Sequence, residues 1–135
     1  MNQEKKTKEK FWTKIWSNRS KGNFVLSDHE ITHVKKLPGG WLLRHRFMAG
    51  KQFSRSGIIF IPDPEQIWKT DQIETKWERI FTERTPNYIA YTSRMKTPQD
   101  WVVKELLSTK RPVSREGTTC LTLTYIEDRD HQWEN

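Results

Sequence analysis

The run Leu37-Pro38-Gly39-Gly40-Trp41 constrains this chain more than any other stretch of it. Proline presets φ for a turn, and two glycines tolerate the positive φ that tight turns demand. Apolar, β-prone residues flank the turn at 31–37 and 41–47. The pattern predicts an antiparallel β-hairpin, with 34–37 paired to 41–44. Gly57-Ile58-Ile59-Phe60-Ile61 then reads as a third, buried strand that stops at Pro62. Residues 118–126 alternate polar and apolar and form the last strand. Residues 88–92 are strand-like and suggest a second hairpin with 71–81, which fit a strand somewhat better than a helix.

Helical signals accompany these strands. Phe11, Trp12, Ile15 and Trp16 fall at i, i+1, i+4 and i+5, one helical stripe. Asp63-Pro64-Glu65-Gln66 and Thr97-Pro98-Gln99-Asp100 each offer a capping side chain followed by proline, the usual opening of a helix. The second of these predicts a helix through Leu107. The expected fold is therefore α+β: a small single domain, mostly antiparallel sheet, with N-terminal and late amphipathic helices. Residues 1–10 are too polar to order themselves, 11–126 form the domain, and 127–135 read as a charged tail. No internal repeat is visible.

Of the 135 residues only 33% are hydrophobic, yet seven are Trp. Large rings must therefore carry much of the core, since each buries roughly 150–250 Å². One cysteine, Cys120, allows no internal disulfide and is expected in the core. No stretch approaches the ~18 apolar residues of a spanning helix, and no signal-peptide run opens the chain, so a cytoplasmic or nuclear location is expected.

His29-Glu30-Ile31-Thr32-His33 resembles the HExxH motif of the zincin metallopeptidases. The resemblance spans five to eight residues. It implies His29 and His33 as zinc ligands and Glu30 as general base. That chemistry needs a helix, which places positions i and i+4 on one face. Ile31, Thr32 and Val34 favour a strand instead, where residues four apart stand ~13 Å from each other. No metal or cofactor is expected, and an HExxH zinc metallopeptidase is a minor alternative among the functional readings.

Charge points elsewhere. The net charge is +7, and residues 1–60 hold 13 basic against 4 acidic groups. Within that half, cations interleave with rings: Lys10, Trp12, Lys14 and Trp16, then Trp41, Arg44 and Arg46, then Lys51 and Arg55. Rings provide stacking platforms and cations follow phosphates, so a non-enzymatic nucleic-acid-binding module is the leading expectation. A module that binds or inhibits an acidic protein is the alternative, and a membrane-surface helix at the N-terminus a lesser one.

Overall fold

A computed structural model describes residues 11–21, 27–49, 53–69, 76–109 and 119–134. The strands are β1 (Thr13–Lys21), β2 (Ser27–Leu37), β3 (Gly40–Ala49), β4 (Phe53–Pro62), β5 (Glu78–Arg84), β6 (Tyr88–Lys96), β7 (Trp101–Thr109) and β8 (Thr119–Ile126). They form two four-stranded antiparallel sheets in the orders β1-β2-β3-β4 and β5-β6-β7-β8. The fold is all-β, not α+β. Among the described residues there is no α-helix, only a short 3-10 turn at Gln132–Glu134.

The hairpin at Pro38-Gly39 is present, with Leu37 opposite Gly40 and Val34 opposite Leu43. Gly39 has φ +84°, a conformation that glycine adopts without strain. A Cβ on Gly40 would lie 2.2 Å from the Ile61 carbonyl oxygen, so β3 and β4 can approach there only at glycine.

Each expected helix is replaced for an identifiable reason. The N-terminal stripe straddles the start of β1: Phe11 and Trp12 precede the strand, and a β-bulge lies between Lys14 and Trp16 within it. A bulge shifts the side-chain alternation by one residue, which imitates helical spacing. Trp12 and Lys14 thus face outward while Trp16, paired with Thr32, faces inward. Asp63 does accept backbone N–H groups, but from Ile67 and Trp68 (both 2.9 Å), across a left-handed Gln66 (φ 54°) that no helix accommodates. The Thr97 hydroxyl accepts from the Asp100 N–H at 2.9 Å and closes the β6–β7 turn. Beyond it the β-branched pair Val102-Val103 extends into β7.

The inner faces of the two sheets share a core of Val34, Trp41, Leu43, Ile61, Met95 and Val102. β4 and β8 meet along one side: Arg55 Nε donates to the Thr119 carbonyl at 2.7 Å, and Gly57 lies against Leu123. Cys120 is exposed on β8 rather than buried, because it falls in the outward phase of the alternation.

The two halves end alike, a repeat that the sequence conceals. After β4, Asp63 receives the Trp41 indole N–H and the N–H groups of Ile67 and Trp68. After β8, Asp128 receives the Trp101 indole N–H and the N–H groups of Gln132 and Trp133. Left-handed residues stand three after each aspartate, Gln66 and His131. The Trp pairs Trp41–Trp68 and Trp101–Trp133 are both T-shaped, at 5.6 and 5.7 Å. Residues 128–134, read from the sequence as part of a tail, form this second hook. Only the two aspartates and the tryptophans match between the hooks, so the likeness is one of geometry.

Candidate nucleic-acid interface

In a strand, alternate residues share a face. On the outer face of the first sheet, Lys14 of β1, His33 of β2, Arg44 of β3 and Ile58 of β4 stand directly opposite one another across four strands. The adjacent row is Ser17, Ile31, Arg46 and Ser56. Lys35 and Arg19 occupy outward positions beyond these rows. Among the described outward positions of β1–β4 none is Asp or Glu, and Glu30 falls in the inward phase.

Rings lie against this face. Trp12 covers the Arg44 guanidinium at 4.4 Å and stands 6.4 Å from the His33 ring, while Lys35 Nζ approaches the Phe11 ring to 4.9 Å. Ile58 and Phe60 project outward at 57% and 45% exposure, a large apolar exposure for a sheet face. Arg44 Nη2 donates to His33 Nδ1 at 3.2 Å, so that nitrogen acts as acceptor and the imidazole is neutral. Partial burial, then Arg44, Arg46 and Lys14, push the His33 pKa below its ordinary value. The face is crowded with uncompensated positive charge.

The inner face of the same strands carries charge of another kind. Trp77 Nε1 donates to Thr32 Oγ1 (2.8 Å), and Thr32 faces His45 Nδ1 at 2.8 Å. An indole nitrogen only donates, so the Thr32 hydroxyl is free to donate onward to Nδ1. His45 then donates through Nε2 to Glu30 Oε1 at 2.8 Å, which also receives Lys104 Nζ at 2.8 Å. Lys104 comes from β7 of the other sheet and lies 4.5 Å from the Trp77 ring and 5.4 Å from Trp16. Burial would raise the Glu30 carboxyl, but the His45 hydrogen bond and the Lys104 charge outweigh it and bring the pKa to about 2. Burial lowers the pKa of both His45 and Lys104, against the pull of Glu30.

The sequence-predicted site residues therefore separate. Trp12, Lys14, Arg44 and Arg46 come together on the outer face. Trp16 turns inward beside Lys104, and Trp41 is 3% exposed, bound to Asp63 in the core. Arg55 faces inward and joins β4 to β8. Lys10 and Lys51 lie outside the described residues. Sequence reasoning missed Arg19, Lys35, Ile58 and Phe60 and drew attention to His33 only as a zinc ligand; the alternation of His29, Ile31, His33 and Lys35 along β2 is the signal that places the β2 members on this face. The HExxH residues lie on that strand, with His29 and His33 outward and Glu30 inward. Two imidazoles ~13 Å apart do not share one ion, and the Glu30 carboxylate is on the opposite side of the sheet from both.

Among the described residues no helix is long and apolar enough to cross a membrane, and no group of three or more His, Cys, Asp or Glu side chains is placed to hold a metal ion. Compared with protein-family models, curated proteins and solved structures, the chain matches none.

Proposed function

We propose that the outer face of β1–β4 binds single-stranded nucleic acid. The observation that supports this reading is the cross-strand cluster of Lys14, Arg44 and Arg46, free of any carboxylate and bordered by the Trp12 ring. Outward residues two apart on a strand, such as Arg44 and Arg46, are ~7 Å apart, and neighbouring strands ~4.8 Å. That grid places several cations within reach of successive phosphates. Trp12 supplies a ring on which a base can stack.

Each phosphate that a cation neutralises releases condensed counterions, so affinity falls as salt rises. For three to five contacts the slope of log affinity against log salt is about −2 to −3.5, at ~0.7 per contact on a single strand. Fluorescence anisotropy with a labelled oligonucleotide measures it. Replacing Arg44 and Arg46 with Ala makes the slope shallower by about one to two contacts. Trp12→Ala weakens binding by ~1–3 kcal/mol and leaves the slope in place. Failure of single- and double-stranded oligonucleotides to bind below ~100 µM at roughly 50–150 mM salt overturns the reading. Exposed Ile58 and Phe60 favour one competitor, an acidic protein with an apolar centre, and such a partner displaces oligonucleotides at physiological salt.

A further inference from the structure

The strongest feature that this reading leaves unused is His33, a titratable ring in the middle of the cation row. Its Nδ1 is held as an acceptor by Arg44 Nη2 at 3.2 Å. Lys14 faces it from β1 and Arg44 from β3, Arg46 lies diagonally on β3, Lys35 follows two residues along its own strand, and Trp12 leans over it. His29 is the next histidine on the same face, four residues away. Among the described outward positions of these strands none is a carboxylate, so no described group of the sheet face favours the imidazolium.

Arg44 itself is incompletely satisfied: its Nε is buried from solvent and has no hydrogen-bond partner. An anion that reaches the row offers this guanidinium better acceptors than a neutral imidazole. Two changes at His33 then coincide. Its Nδ1 lone pair loses the Arg44 N–H, and a negative charge arrives where only positive ones stood. Both favour a proton on the ring.

We propose that His33 couples the outer face to pH, so that a polyanion binding across Lys14 and Arg44 takes up a proton at this imidazole. The inference rests on reading the outer face as an anion-binding surface. Its sign follows from linkage. In the free protein the ring is neutral and its neighbours hold its affinity for protons below the ordinary histidine value. In the complex that affinity is higher. Between the two values only the complex carries the proton, so binding strengthens as pH falls through that window, by up to about tenfold per pH unit.

Two measurements on the full chain test it. The first is oligonucleotide affinity at fixed ionic strength across roughly pH 5.5–8, the range in which histidine alone among unperturbed side chains changes charge. The second follows the His33 imidazole by NMR, free and with inorganic polyphosphate as a generic polyanion. Expected are affinity that rises toward acid, a profile flattened by His33→Gln but kept by His29→Gln, and a His33 pKa that moves up with polyphosphate. Oligonucleotide binding that is independent of pH, or a dependence that survives His33→Gln, overturns the inference and leaves nucleic-acid binding standing. Loss of oligonucleotide binding with a His33 pKa that still rises in polyphosphate overturns the nucleic-acid reading and supports the proton coupling. Absence of both responses overturns both.

Discussion

The first sheet meets basic groups on both of its faces, and the two faces treat them oppositely. Inside, Lys104 is 4% exposed and reaches Glu30, which also holds His45. Outside, Lys14, Arg44 and Arg46 surround His33 with no carboxylate among them. A buried cation without a counter-ion costs several kcal/mol, so the interior supplies one. On the surface water screens the repulsion, so the uncompensated cluster is tolerated. Composition locates positive charge but not its availability; the direction of the side chain decides that.

The largest effect that sharpens this contrast is expected inside. Glu30→Ala leaves Lys104 and His45 without their anion and lowers stability by about 3–5 kcal/mol in urea unfolding. A loss below ~1 kcal/mol would make the inner cluster no different from a surface pair and break the comparison.

Acid comes next. The Glu30 carboxyl is held at about 2 against an ordinary 4.5, so its contribution is present above pH 4.5 and is lost as pH falls toward 2. That contribution is about 3 kcal/mol, since each tenfold change in proton affinity between the folded and unfolded chain is worth about 1.4 kcal/mol. His45 acts in the same direction: a lowered pKa means that the unfolded chain takes up protons first as pH falls below 6.5. Denaturant melts between pH 7 and 2 should therefore lose stability progressively, and Glu30→Gln should remove the most acidic part of the loss.

The smallest effect belongs outside. Arg46→Gln removes a cation that Arg44 and His33 both feel, so its expected change is within ~0.5 kcal/mol, neutral or slightly stabilising. A loss of ~2 kcal/mol would assign Arg46 a structural role and weaken the case for an open binding face.

Local turn chemistry is legible in the sequence. Pro38-Gly39-Gly40 joins the strands expected of it, residues 57–61 lie in β4 but with Ile58 and Phe60 exposed and not buried, and the alternation over 119–126 is β8. Asp63 and Thr97 do accept backbone N–H groups, as their sequence context predicts, yet they close turns and not helices. The path of the chain beyond a capping residue depends on tertiary partners, and here the left-handed Gln66 and the β-branched Val102-Val103 decide it. The bulge beside Ile15 makes Phe11, Trp12, Ile15 and Trp16 imitate a helix. Lys104 conceals β7, because a lysine in an inward position breaks the apolar alternation that marks a strand. Its partner Glu30 is 74 residues away, a separation that no local pattern reveals. At the outer face, half of the site is legible: charge and ring spacing single out Trp12, Lys14, Arg44 and Arg46. The motif around His33 draws attention from the strand alternation that places it beside them.

The simple strand order has a consequence for how the chain reaches this state. Every ladder joins strands that are neighbours in sequence, so each sheet closes through short loops whose entropic cost is small. The contact between Glu30 and Lys104 joins the two sheets and lies outside that economy. It is expected to form after the ladders, so that the desolvation of Glu30 and His45 falls late on the folding route. Glu30→Ala should accordingly quicken unfolding and leave the refolding limb of a chevron nearly in place, the signature of a low φ-value. A charged clasp of this kind acts on the lifetime of the assembled state more than on the speed of its formation.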